Sequence, residues 1–486
     1  MKECGCWGTT ERSYVATSVN GQQESLDPRA KHAIRGAWFG FFVDMFDIYL
    51  PIVVLAPALI YFIPSDLDAS TKAIISGTIF AATLLGRPIG SVIFGHFADS
   101  IGRKRTTIIS VTGFGVITGI MALLPGYQQW GITAVILLIV LRLVDGVFLG
   151  GEYTSANPLA MEYSPKEKRG FYSALIMSGY PLAFAAISAI TTVLLLFIPA
   201  GDINSPYVQW GWRIPFVIGS LLAFALVFYY VYLVDESEIF EGSGGGGSPL
   251  RQLFTERENL LSFLQVFVLM TGFWLTLQTV AAILPGLLGS QVGLSQTNTT
   301  ITLVVSNVVL VGGYIASGVI SQRVGRRSFL IVYGLIAAVA GTFLYYLLLS
   351  APPQNLFLVI LLTTAITLLV VSCWGISTAY INERFRTGIR ASAFGIGYSL
   401  AVVLPSLYAY YQAGLAAFMP LEYTVLVLLA VGSLLMVVGA VWGPETKDVD
   451  FSEDVEAASG ADDRARTATQ TEPRTAPGSD GTVGSS

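Results

Sequence analysis

The chain has 486 residues, 53% of them hydrophobic and only 12% charged, with a formal net charge of −5 and a mean hydropathy of +0.65. A soluble globular domain carries about 25% charged residues, so this composition excludes one. No nucleic-acid partner is expected, and the lipid bilayer is the expected surrounding.

Twelve segments are long and apolar enough to cross a hydrocarbon core of roughly 30 Å, which takes about 20 helical residues. In chain order they fall near 36–62, 73–97, 106–125, 131–156, 170–198, 212–234, 259–285, 298–322, 328–350, 354–381, 390–417 and 422–442. The expected fold class is therefore an all-α integral membrane protein. Nothing in 1–35 resembles the apolar core of a cleaved signal peptide, so the first apolar segment reads as a spanning helix.

The loops differ sharply in basic residues. One side carries Arg29, Lys31, Arg35, Arg103, Lys104, Arg105, Lys166, Lys168, Arg169, Arg251, Arg257, Arg323, Arg326, Arg327, Arg384 and Arg386. The other carries Lys72 and Arg213. The positive-inside bias makes the first side cytoplasmic, with both termini on it, as an even number of spans requires. The expected location is the cell (inner or plasma) membrane.

Residues 1–35 form an expected cytoplasmic tail, 36–234 an N-terminal six-helix bundle, 235–258 a cytoplasmic linker, 259–442 a C-terminal bundle, and 443–486 a largely disordered tail. The linker contains GSGGGGS (242–248), flexible because glycine leaves its backbone unrestrained, whether native or inserted. The tail beyond about 452 is poor in large apolar residues.

An internal repeat at a spacing near 222 residues relates the halves. GHFADSIGRKRT (95–106) matches GVISQRVGRRSF (318–329), aligning Gly95 with Gly318, Gly102 with Gly325 and Arg103 with Arg326. EYSPKEKRG (162–170) corresponds to NERFRTGIRA (382–391), with Glu162 and Arg169, and Glu383 and Arg390, each seven residues apart. Matches at equivalent loops of the two halves mean parallel six-helix repeats, able to rock about a central cavity.

The 95–105 loop resembles the signature loop of the major facilitator superfamily, and RLVDGVFLGGE (142–152) resembles its fourth-helix motif. VDMFD (43–47), LLGRPIGSVIFGHFAD (84–99), GGE (150–152) with Glu162 and Arg169-Gly170, and ESEIF (236–240) are similar to the metabolite:proton symporter family. Asp44 replaces the Glu usual in that family, and Asp145 the Gln common in the superfamily. The resemblance implies the major facilitator fold and uptake of small organic acids, zwitterions or related metabolites with protons.

An ionisable side chain at mid-membrane costs at least about 2.5 kcal/mol, so it faces a cavity or a partner. Asp44, Asp47, Arg87, Arg142, Asp145 and Glu152 all fall in N-half spans, and the middle of helices seven to twelve has no equivalent. Asp44 and Asp47 share a helix face, while Asp145 and Glu152 stack two turns apart near Arg142. A carboxylate beside a guanidinium stays ionised, and one left alone in apolar surroundings takes up a proton. The expectation is that Asp47 carries the proton, Arg142 is its switching partner, and Asp44 or Asp145 modulates the pair. A permanent ion pair fastening helix one to helix four is the plainer alternative. Arg87, between Gly86 and Pro88, either holds a substrate carboxylate or neutralises a helix-one aspartate.

Trp274, Gln278, Asn307, Trp374, Tyr380 and Tyr398 are the C-half candidates for lining a substrate cavity, with packing or interface anchoring as the alternative. The amides are the stronger candidates because an unpartnered buried amide is costly. Gly146, Gly150, Gly151, Gly312 and Gly313 are expected to allow close helix contact. Asp99 with Arg103, Gly95 and Gly102 reads as a gate latch, Asp99 having Gln322 as its repeat counterpart. Glu152, Glu162, Arg169, Glu383 and Arg390 are the other expected gate residues.

No nucleotide loop, Ser/His constellation or metal-ligand spacing is evident, so no cofactor, no metal and no enzyme activity are expected. The proton gradient is the expected energy source. The favoured reading is proton-coupled uptake of a small polar metabolite by alternating access through a functional monomer. A sugar symporter is an alternative, since GPETKD (443–448) resembles the end of sugar carriers. A drug/proton antiporter and a membrane sensor are the others.

Overall fold

The computed structural model describes residues 28–64, 67–101, 103–162, 164–233, 253–386 and 389–451. The 242–248 linker, Gly102, the side chains of Asp99 and Arg103, and the tail from 452 lie outside the described residues.

Twelve helical columns follow one another. In the first half they are α1 (Pro28–Val54), α2 (Ala69–Ile101), α3 (Arg103–Met121), α4 (Ile132–Glu162), α5 (Arg169–Met177, then Gly179–Phe197) and α6 (Arg213–Leu233). In the second, α7 runs Arg257–Gln278 and, past a π-helical turn, Leu284–Ser290. Then come α8 (Gln296–Val324), α9 (Arg326–Ile336, continued to Leu349), α10 (Leu356–Val371, continued to Arg384), α11 (Arg390–Leu400, continued to Leu415) and α12 (Thr424–Trp442). Among the described residues, eleven stretches are long and apolar enough to span a bilayer by themselves. The twelfth, α3, has 19 residues and begins Arg103-Lys104-Arg105, which lowers its apolar content. It packs along α4 and α6.

Observed ends differ from the expected ones for local reasons. Helix α1 is already formed at Pro28, the first described residue, ahead of the expected 36. It ends at Val54 rather than near 62, and Ala56–Tyr61 continues as a tight 3-10 turn containing Pro57. Helices α2 and α4 run beyond the apolar segments to Ile101 and Glu162, so their polar ends project past the hydrocarbon.

Packing repeats as the sequence does. The α2–α4 pair is matched by α8–α10, and α3–α6 by α9–α12. The halves meet along two related seams, α5 on α8 and α11 on α2.

Small residues set the tightest approach, between α2 and α4. A methyl group at Gly146 would lie 2.0 Å from the Thr83 carbonyl oxygen, and one at Gly90 1.9 Å from the Val147 carbonyl oxygen. These are backbone atoms, so the two helices touch main chain to main chain, as lipid-embedded helices do to gain dispersion contact. Gly150 and Gly313 also sit in close contacts, but Gly312 has open space within 4 Å and contributes to no seam. It faces away because it is 100° around α8 from its neighbour Gly313, which packs on Ser372.

Candidate functional site

Asp44 and Asp47 lie in the middle of α1, and each finds an arginine from a different helix. Arg87 Nη2 on α2 donates to Asp44 Oδ2 at 3.0 Å. Arg142 Nη1 on α4 donates to Asp47 Oδ2 at 3.1 Å and lies 3.1 Å from Asp145 Oδ2, one turn along its own helix. Arg142 Nη2 also donates to the Ile48 carbonyl at 3.1 Å, and Thr118 Oγ1 of α3 donates to Asp47 Oδ1. None of these five charged residues is more than 2% exposed. Desolvated charges of this kind persist only when paired, and here two acids share one arginine. Counted formally, the Asp47–Arg142–Asp145 cluster has two carboxylates for one guanidinium, so one proton brings it to neutrality.

In this structure Arg87 pairs with Asp44. The same guanidinium lies 6.0 Å from the ring centroid of Tyr398 on α11, so it also faces the second half.

There it meets an aromatic cluster. Trp274, Trp374 and Tyr398, expected singly from the sequence, pack edge to face with centroids 4.8 Å apart for Trp274–Trp374 and 5.1 Å for Trp274–Tyr398. Trp274 Nε1 donates to the Tyr398 carbonyl at 3.1 Å and Trp374 Nε1 to the Phe273 carbonyl at 3.3 Å, tying α7 to α11 and to the broken middle of α10. Across from them Tyr49 of α1 packs on Tyr180 of α5 at 5.2 Å, and Tyr180 stacks on Tyr314 of α8 at 6.4 Å. The sequence reading omits these three tyrosines, although Tyr49 lies two residues beyond Asp47 in the same helix.

Gln278 is fully buried and, among the described residues, neither of its amide atoms has a hydrogen-bond partner. Asn307 Nδ2 donates to the Leu303 carbonyl at 2.9 Å, while its Oδ1 has no partner among the described residues. Tyr380 instead accepts from Gln265 Nε2 at 3.0 Å, a packing role near the end of α12.

The face bearing the basic loops is shut by charge pairs that exchange between the repeats. Arg390 Nη1 of α11 donates to Glu162 Oε1 at 3.1 Å, and Arg169 Nη1 of α5 lies 3.6 Å from Glu383 Oε1 of α10. Each half thus offers its glutamate to the other half's arginine, the reciprocal contact that a two-fold relation between repeats produces. Arg326, the counterpart of Arg103, adds a 3.2 Å contact to Glu383 and donates to Gln322 Oε1 at 2.7 Å. Gln322 also accepts from the Gly170 amide at 3.1 Å. Ser173 of α5 donates to the Gly375 carbonyl at 2.8 Å and accepts from the Ala379 amide at 3.1 Å.

One expected gate residue lies elsewhere. Glu152 is ten residues before Glu162 on α4, about 15 Å away along a helix. It packs on α1, where a methyl at Gly40 would come 2.0 Å from its Oε1. A methyl at Gly95 would meet nothing within 4 Å among the described residues.

On the opposite face, Thr192 of α5 donates to Thr300 of α8 at 2.7 Å, and Thr78 of α2 hydrogen-bonds Tyr410 of α11 at 2.8 Å. The ion clusters and the aromatic box between the faces are buried.

The profile of the Major Facilitator Superfamily matches residues 37–409. The chain belongs to that superfamily. It is accordingly a multi-pass membrane transporter and not an enzyme. Among relatives of this superfamily member, a putative metabolite transport protein of Haemophilus influenzae is 30% identical over 440 residues, covering 85% of this chain and 96% of that one. An inner membrane metabolite transport protein of Escherichia coli is 29% identical over 421 residues, covering 82% and 91%. The superfamily fold is shared with the E. coli xylose transporter, solved in a partially occluded inward-open conformation. That likeness has a TM-score of 0.65 at 17% identity and covers 87% of this chain and 99% of that one.

Proposed function

We propose that this transporter takes up a small polar metabolite, an organic acid or a zwitterion, together with protons. The observation that carries this reading is the buried Asp47–Arg142–Asp145 cluster, with two acids on one arginine between α1 and α4. When Arg142 follows one carboxylate, the other is left in low dielectric and favours the neutral form, which links helix movement to proton uptake. Asp47 is the proton carrier in this scheme, and Asp145 keeps Arg142 compensated while Asp47 is neutral. Asp44 and Arg87 form the second element. A substrate carboxylate that takes over Arg87 releases Asp44, so anion binding and proton uptake occur at adjoining groups.

Trp274, Trp374 and Tyr398, joined by Gln278 and Asn307, are proposed to line the C-half of the substrate cavity. The relatives support a substrate of this class. They include a shikimate transporter, an alpha-ketoglutarate permease and a proline/betaine transporter of E. coli, 28%, 27% and 26% identical to this chain. A carboxylate is the group that these compounds have in common. The bundles 36–234 and 259–442 are proposed to rock as units, with the basic face cytoplasmic, as the loop charges favour. The location that fits is the inner membrane, and one chain supplies the pathway.

The test is uptake by purified protein in liposomes under an imposed pH gradient, using shikimate, proline, betaine and alpha-ketoglutarate. Accumulation that a protonophore abolishes is expected. Flux that ignores the gradient, or binding without flux, refutes symport.

A further inference from the structure

The residues that close the basic face are joined by a segment that belongs to neither bundle. After α12 the chain runs 443–451 across the end of the molecule. Glu445 Oε1 accepts from the Arg326 amide at 2.7 Å and Oε2 from the Arg327 amide at 3.1 Å, capping the start of α9. Thr446 Oγ1 donates to Glu383 Oε2 at 2.8 Å. The chain then reaches the first half, where Arg169 Nη1 donates to the Val449 carbonyl at 3.0 Å and Lys166 Nζ lies 3.7 Å from Asp450.

Phe451 ends this crossing, buried in a small apolar cluster with Ile34, Met161, Ile176 and Ala379, which come from α1, α4, α5 and α10. The Arg169 guanidinium lies 3.7 Å from the centre of its ring and that of Arg390 3.8 Å. One ring thus contacts a cation of the first half and a cation of the second. Each of those cations is in turn pointed at the other half's glutamate.

We infer that Phe451 is a positioning residue of the gate, holding Arg169 and Arg390 in the geometry that pairs them with Glu383 and Glu162 across the two halves. Its π system attracts both cations, and its burial fixes the level at which each guanidinium sits. When the halves part on this face, the ring must leave at least one arginine, so the contact favours the closed face only. The inference concerns opening and closing, and it is independent of which substrate or ion the carrier moves.

Spin labels at Glu167→Cys and Arg323→Cys, exposed positions on the two halves, report the width of the basic face. Cys4→Ser and Cys6→Ser remove the other reactive thiols from the full-length protein. Phe451→Leu keeps apolar bulk and removes the π faces, while Phe451→Trp keeps both. The open-to-closed ratio is expected to rise about five- to thirty-fold in Phe451→Leu and to stay at the wild-type value in Phe451→Trp. A wild-type distance distribution in Phe451→Leu overturns the inference. Equal shifts in both variants overturn it too, because packing alone would then be the cause.

Hydrogen exchange on the unmodified protein gives a second reading should the leucine variant misfold. The Val449 amide is expected to exchange in step with the Gly170 and Ala379 amides at the seam. Fast exchange at Val449 with protection at the other two would mean that the segment lifts without consequence for the gate.

Discussion

Asp47→Asn separates the energetics of the helix-one cluster from its role in coupling. The side chain keeps its shape, and its amide oxygen can still accept from Thr118. Arg142 loses the carboxylate at 3.1 Å but retains Asp145 at 3.1 Å and the Ile48 carbonyl at 3.1 Å. Removing one partner of a lone buried ion pair costs about 3–5 kcal/mol, because a charge is left uncompensated. Here the cluster passes from one formal excess negative charge to none, so the expected loss of stability is below about 1.5 kcal/mol. Transport tells the roles apart. A gradient of one pH unit holds about 1.36 kcal/mol per proton, enough for tenfold accumulation of a neutral solute-proton pair. Asp47→Asn should bring that ratio to one while leaving substrate exchange between the two sides within a few-fold of wild type. The assay is paired: concentrative uptake under a gradient and counterflow without one, in the same liposomes. Tenfold accumulation by the variant would refute the assignment of the proton to Asp47. Loss of both activities would favour a fastening role for the pair.

Three further outcomes follow from the geometry. Glu162→Gln removes the carboxylate that Arg390 Nη1 faces, and because Glu162 is 24% exposed the cost is expected to be about 1–2 kcal/mol on the closed basic face. Alkylation of a Ser173→Cys thiol, buried in that seam, should speed up about five- to thirty-fold, and an unchanged rate counts against the crossed pairs. Gln278→Leu removes a buried amide whose two polar atoms have no partner among the described residues, so the melting temperature should hold or rise while substrate affinity falls. A fall in melting temperature with unaltered affinity would assign Gln278 to the fold instead. Gly90→Leu forces α2 off the Val147 carbonyl and should cost at least about 1–3 kcal/mol, whereas Gly312→Leu, on an open face, should stay within about 0.5 kcal/mol. Comparable melting temperatures for the two variants would discount the seam.

Membrane residence, the helix count and the parallel repeat were legible in the sequence. Each rests on a quantity that accumulates along the chain, namely apolar length, loop charge and self-similarity. The same holds for the six ionisable residues of the N-half, since a charge inside an apolar run stands out without any structure. Partner choice is different in kind. Asp44 and Asp47 share one helix face in the sequence, yet one pairs with Arg87 of α2 and the other with Arg142 of α4. The repeat displayed Glu162 with Arg169 and Glu383 with Arg390 as seven-residue pairs, and the folded halves exchange them. Spacing along a chain reports what a helix can present, and only the packing of one half on the other decides what it meets. The same limit hid Tyr49, Tyr180 and Tyr314, which resemble ordinary packing residues until α1, α5 and α8 converge. It also hid Phe451, a single aromatic in a polar tail whose two arginine partners lie 61 and 282 residues away.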